Sequence, residues 1–389
     1  MTETSFEQLD ELTTTAGPAA AIERLIETLR AERRHRELFD ALLLRWKFER
    51  KLPTVRPTTF DDVPDDRRRE FEEHYVNAAR EVGELYLDDG RIAQAWPYLR
   101  TIQEPEKVAA AIERLDPVAL ADERTDELLQ IALYEGANPV KGIEIMLRSH
   151  GTCNTITALD QHMVQMTPEQ RRRAAGIMVE EIYHDLCHSV RADVQRRITL
   201  PSSEGAASEL SLRELMTGRD WLFEEGNYHI DVSHLHSVVR FARFLDASPQ
   251  LSKAIELAEY GSRLSPQFQY PGDPPFDEFY AAHLHFFRAI ADEGRDEAIA
   301  YFRSRLESEP DEQDKPMLAY VLVDLLCRID RKHEATDVAA AHLKGVDESS
   351  GFSLAGLCHD AGRLDTLRDA ARERNDLVGY VAALVQDTR

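Results

Sequence analysis

The stretch EEIYHDLCHSV, residues 180 to 190, places Glu181, His184 and His188 at i, i+3 and i+7. At 100° per residue these three share one arc of a helix, and Met178, Ile182, Leu186 and Val190 share the neighbouring arc. A glutamate and a histidine three apart, or two histidines four apart, stand over adjacent turns and can reach one ion. A metal needs further ligands. His229, Asp231 and His234 in NYHIDVSH are the expected ones, with Ser233 expected to cap the following helix.

The expected metal ligands are therefore His184, His188, His229, Asp231 and His234, with Glu181 as ligand or general base and His150 and His283 as further catalytic candidates. Imidazole and carboxylate together suit Zn(II) or Fe(II), and an open coordination position lets such an ion activate water. The expected chemistry is hydrolysis or lyase chemistry on a small polar substrate. Oxygen chemistry on a two-histidine, one-carboxylate iron is a variant. The same residues also read as a solvated, ion-paired flank, because Arg191 adjoins the arc and polar pairs four apart are common on helices. H-E-x-x-H is absent, and Glu-x-x-His recurs only at Glu32 and His35, among arginines, which disfavours a di-iron site.

Nine of the 14 histidines lie between residues 150 and 285, more than an even spread would place there. Cys153, three residues after His150, invites a thiolate reading if Gly151-Thr152 opens a new helix; its plainer role is packing at a helix start. No G-x-x-x-x-G-K-[ST], G-x-G-x-x-G or G-x-S-x-G occurs, so no nucleotide cofactor and no serine-hydrolase chemistry is expected.

These side chains need elements to position them, and nearly every segment of the 389 residues has a 3.6-residue apolar period. The expectation is an all-α fold. Helices are predicted at about 18–31, 34–50, 67–88, 91–103, 106–115, 124–135, 138–149 and 168–198, with Asn138-Pro139 a start signal. Two loops interrupt the pattern, 199–210 and the proline-stiffened 265–277. Three regions are expected: 1–64, a helix pair and Pro-rich linker; 65–232, a central helical region with the His/Glu-rich site; and 233–389, helical repeats.

Composition sets the outer limits. Apolar residues make up 43% of the chain, enough for a large core, and the net charge is -24. That field repels phosphate backbones and anionic lipid, so neither nucleic acid nor a membrane is an expected partner. The opening residues lack an apolar leader, no run approaches a bilayer span, and the four cysteines form no framework, which together point to the cytoplasm.

Two segments of the C-terminal half match each other: AIELAEYGSRLSP from Ala254 and AIAYFRSRLESEP from Ala298, each with proline twelve residues on. Gly294-Arg-Asp-Glu-Ala298 is echoed by Asp330-Arg-Lys-His-Glu-Ala335, by Gly362-Arg-Leu-Asp and, more weakly, by Asp89-Gly90-Arg91-Ile92-Ala93. Residues 233–389 thereby resemble tetratricopeptide (TPR) repeats, although the spacings of 44 and 37 residues depart from the family's regular one and the first-helix consensus is poor. The resemblance implies an α-solenoid with a right-handed superhelix. It also places His236, Arg243, Asp246, Tyr280 and Phe287 along a concave groove, where relatives hold a partner peptide. A non-catalytic adaptor is therefore the competing expectation. On the residues alone, Leu235, Val238, Val239, Ala242 and Leu245 form an apolar stripe that leaves His236, Arg240 and Arg243 on the other face, and His283 falls among Phe276, Tyr280 and Phe287 while His285 points elsewhere.

Overall fold

A computed structural model describes residues 6–117, 122–197, 210–345 and 352–387. Among these residues the regular structure is entirely helical. They form two compact units, residues 1–165 and 166–389.

The first unit carries α1 (Phe6–Thr15), α2 (Pro18–Ala31), α3 (His35–Glu49), α4 (Asp65–Asp88), α5 (Ile92–Thr101), α6 (Pro105–Glu113), α7 (Asp122–Leu129) and α8 (Pro139–His162). Sequence periodicity anticipates most of these; α1, with no buried residue, lies outside that reading. Successive helices pack against each other from α1 to α6. Their core joins Leu38, Leu43 and Trp46 of α3 to Phe71 and Val82 of α4 and Leu99 of α5. The Pro-rich linker belongs to this core too, because buried Lys47 donates from Nζ to the carbonyls of Arg56 and Thr59, each at 2.8 Å.

Two features of this unit depart from the expected helices. The helix expected at 124–135 ends in a π-helix, Gln130–Tyr134, in which the N–H of Glu135 reaches back five residues to the Gln130 carbonyl. Close packing accompanies it: a Cβ on Gly142 would lie 2.8 Å from the Leu133 Cβ, so only glycine lets α8 come this near. The helix expected at 138–149 continues as α8 across a break at Gly151, whose φ of 77° and ψ of 176° are open only to glycine. Asn138 caps α8 by accepting from the Lys141 N–H at 3.1 Å, with Pro139 at the first position.

The second unit carries α9 (Pro168–Arg197), α10 (Leu212–Met216), α11 (Val232–Phe241), α12 (Pro249–Ser262), α13 (Phe279–Ile290), α14 (Arg295–Ser308), α15 (Lys315–Arg328), α16 (Lys332–His342), α17 (Leu354–Asp360), α18 (Leu364–Glu373) and α19 (Leu377–Gln386). From α11 to α19 each helix packs on the next, and α13 also touches α15. Ala254, Ala298 and Ala335, the small residues of the repeated segments, are all fully buried. The loop expected at 199–210 falls almost wholly outside the described residues.

The echoed turns share one physical device. At Gly90, Asp330 and Gly362 the backbone turns left-handed, and the next N–H donates five residues back: Arg91 to Tyr86, Arg331 to Leu326 and Arg363 to Cys358, each at 2.8 Å. This is the Schellman helix end, which closes one helix and launches the next. Arg33-Arg34, Gln103-Glu104 and Asn375-Asp376 repeat it with no glycine, so residue identity alone does not mark it.

Candidate functional site

In the first unit, His150 closes the first segment of α8, just before the Gly151 break. Its Nδ1 lies 2.8 Å from Ser149 Oγ and its Nε2 3.7 Å from Asp126 Oδ1. His150 lines a cavity of about 400 Å³ together with side chains from α7, the π-helix and the second segment of α8. Cys153 is exposed and is not among the lining residues.

In the second unit, α9 buries Met178, Ile182, Leu186 and Val190, as its period requires. His184 and His188 lie on its exposed side, and Glu181 is half-buried beside them. His229 takes other partners. Its ring is buried, Nε2 lies 3.3 Å from Asp193 Oδ2 on α9, and Nδ1 lies 3.0 Å from the hydroxyl of Tyr260 on α12. The same hydroxyl accepts the His229 backbone N–H at 2.8 Å. The consistent tautomer has Nε2–H donating to Asp193 and Nδ1 accepting from Tyr260. Burial lowers the His229 pKa and Asp193 opposes that shift; burial raises that of the Tyr260 phenol.

Asp231 corrects the expected cap. It is Asp231, not Ser233, that caps α11: its Oδ1 accepts from the Ser233 N–H at 2.8 Å, the Ser233 hydroxyl at 2.6 Å and the His234 N–H at 3.3 Å. These bonds hold its pKa below the usual carboxylate value. His234 is half-buried in the first turn of that helix. Among the described residues no group of three or more His, Cys, Asp and Glu side chains is placed to hold a metal ion. Among the described residues the five expected ligands do not assemble into one set: His184 and His188 face outward on α9, His229 is enclosed by Asp193 and Tyr260, Asp231 caps α11, and His234 lies half-buried in that helix's first turn.

A different group comes together between α11 and α13. The ring of His283 is fully buried, with Phe276 at 4.4 Å, Phe279 at 4.3 Å and Phe287 at 5.6 Å between centroids. His285 stacks on Tyr301 at 4.6 Å instead. The expected division of these two histidines holds. His283 Nδ1 lies 2.7 Å from the Phe279 carbonyl, so Nδ1 carries the proton and Nε2 is left as an acceptor. That Nε2 is buried with no hydrogen-bond partner.

His236 stacks on the other residue of this core, Phe279, at 3.7 Å, and its Nε2 is likewise buried and unpartnered. Arg243 sets its guanidinium 4.2 Å from the Phe276 centroid, and its Nε has no partner either. The Tyr280 hydroxyl makes a fourth such atom. Burial pulls the Arg243 pKa down to about 10 and the pKa of His283 well below its ordinary value, with that of His236 also lowered. Four unpaired polar atoms thus surround two phenylalanine rings. A folded chain rarely leaves such groups together without something to meet them.

The rest of the expected groove set differs from an open surface. Phe287 and Tyr280 are core residues, 0% and 2% exposed, and Tyr280 lies flat against Gly261. Asp246 is exposed, 2.8 Å from Arg172 Nε and 3.5 Å from Arg328. Arg328 also donates to the carbonyls of Arg243 and Leu245, tying α15 to the end of α11. Sequence reasoning passed over Asp193, Tyr260, Arg328 and Asp324. Asp324, whose carboxyl is raised by burial, faces Arg328 and Arg243. No motif marks these residues, because each acquires its role only by meeting a residue distant in the chain.

The fold and these clusters define an all-helical protein of two helical units. No family model matches the chain, and no curated protein or solved structure matches it.

Proposed function

We propose that this chain is a non-catalytic recognition protein, a TPR-like stack of helical hairpins whose second unit holds a segment of a partner protein that presents an acidic side chain. The observation that carries this reading is the group of unpartnered buried atoms on His236, Arg243, Tyr280 and His283 around Phe276 and Phe279. An acidic side chain complements Arg243, whose Nε is buried without a hydrogen-bond partner, and a backbone or side-chain N–H complements His283 Nε2. His236 and Arg243 also hold the positions that the repeat resemblance assigns to a groove. The metal-dependent reading has no comparable support, since no ligand set is assembled among the described residues.

Selection from a displayed random-peptide library tests the proposal. Wild-type protein should enrich sequences with an acidic residue, and the enriched peptides should bind Arg243→Met or His236→Ala at least about tenfold more weakly, the loss of one charged hydrogen bond. Binding to a His184→Ala, His188→Ala variant should equal wild type. Peptides held equally well by Arg243→Met would end this assignment.

A further inference from the structure

The first unit contains a cavity whose walls include two places where its helices lose regularity among the described residues. One wall is the π-helix, which supplies Gln130 and Tyr134. The other is α8 around Gly151, which supplies His150 before the break and Asn154, Thr157 and Gln161 after it. Irregular backbone of this kind is less favourable than plain helix and persists where packing over-determines it; such places cluster at ligand sites. Here the Gly142 contact on Leu133 accompanies the first irregularity, and Asn154 Nδ2, donating to the His150 carbonyl at 2.8 Å, spans the second.

The chemistry of the lining narrows the occupant. No lysine or arginine lines the cavity, so an anionic ligand has no counter-charge there. Three of the side chains are amides and two carry hydroxyls, groups that both donate and accept, as sugar hydroxyls do. Ser149 donates its hydroxyl proton to the Ile145 carbonyl at 2.7 Å, so His150 Nδ1–H donates to Ser149 Oγ, while Nε2 faces Asp126 Oδ1 at 3.7 Å. Asp126 adds a carboxylate acceptor on that side. Tyr134 is 45% exposed, with its ring braced edge-on by His162 at 5.1 Å, and offers a flat apolar face to the C–H side of a sugar ring. Leu129, Met146 and Ala158 complete an apolar floor. The volume of about 400 Å³ lies in the range of small-molecule sites.

We propose that this cavity is a binding site for a neutral pyranose, either free or as the terminal unit of a glycoside. Tyr134 is the stacking platform, Gln130, Asn154 and Gln161 hold the hydroxyls, and the Asp126 carboxylate accepts from one of them. The site is independent of the partner-binding reading of the second unit.

Saturation-transfer NMR on the full chain tests it with the methyl glycosides of glucose, galactose and mannose, with sorbitol and gluconate as open-chain and anionic comparisons. At least one pyranoside should receive saturation at its ring C–H protons, more strongly than sorbitol or gluconate. Tyr134→Ala and Gln161→Leu, both at exposed positions, should weaken that glycoside about tenfold or more with circular dichroism unchanged. Absence of transfer to all three pyranosides, transfer unaltered in both variants, or preference for gluconate would each overturn the proposal.

Discussion

Arg243 rests on Phe276 with its guanidinium carbon 4.2 Å from the ring centroid, and its Nε is buried without a partner. A charge so placed is held against its desolvation cost. Arg243→Met keeps the contact area and removes the charge. We expect the variant to melt above wild type, by about 1 kcal/mol of added stability, while losing peptide binding. A melting temperature lowered by the substitution would mean that Asp324 and the aromatic face already compensate the charge.

Acid should weaken the fold through its buried histidines. Burial lowers the folded pKa of His283, and also those of His74, His229 and His236. The unfolded chain therefore takes up these protons first, and stability is whole above about 6.5 and declines as pH falls below it. For His283→Gln we expect a shallower decline between neutral pH and pH 5, by up to about 1.4 kcal/mol per pH unit. Urea denaturation at several pH values measures it, and parallel curves for the two proteins would exclude His283 as a contributor.

Lys47 is buried and spends its ammonium on the carbonyls of Arg56 and Thr59, holding the Pro-rich linker to α3. Burial lowers its pKa. Lys47→Met leaves both carbonyls unmet and should destabilise the chain by about 2 kcal/mol, with earlier tryptic cleavage after Arg56. Proteolysis at the wild-type rate would show that the linker is held by its other contacts.

Gly261 permits a close approach in the second unit: a Cβ there would lie 2.1 Å from the Tyr280 ring. Gly261→Ala must push Tyr280 and α13 away. The expected loss is about 1–3 kcal/mol, and Tyr280→Ala should relieve the clash in the double variant, giving non-additive effects in a mutant cycle.

His184 and His188 are exposed on α9. Replacing both by alanine should change stability by no more than about 0.5 kcal/mol and leave the peptide binding of the second unit intact. A markedly lower melting temperature, or one restored by Zn(II), would return these residues to a structural or metal-binding role.

The sequence by itself determined the helices and their inward faces. Apolar residues recurring every 3.6 positions need a covered side whatever covers it, so Leu235, Val238 and Val239 were legible as core, as were Met178, Ile182, Leu186 and Val190. The aromatic setting of His283 was legible for the same local reason, and the buried small residues Ala254, Ala298 and Ala335 through the repeat resemblance. Only the tertiary structure decided what each polar side chain meets. His229 is enclosed by Asp193 and Tyr260, 36 and 31 residues away, rather than joined to His184 and His188. Arg243 lies withdrawn on Phe276, and Gly142 lets α8 pack closely on Leu133 of the π-helix before it. Periodicity records which side of a helix is hidden; the partner of a buried charge or imidazole depends on how distant helices cross, and that is set by the packing of the whole unit.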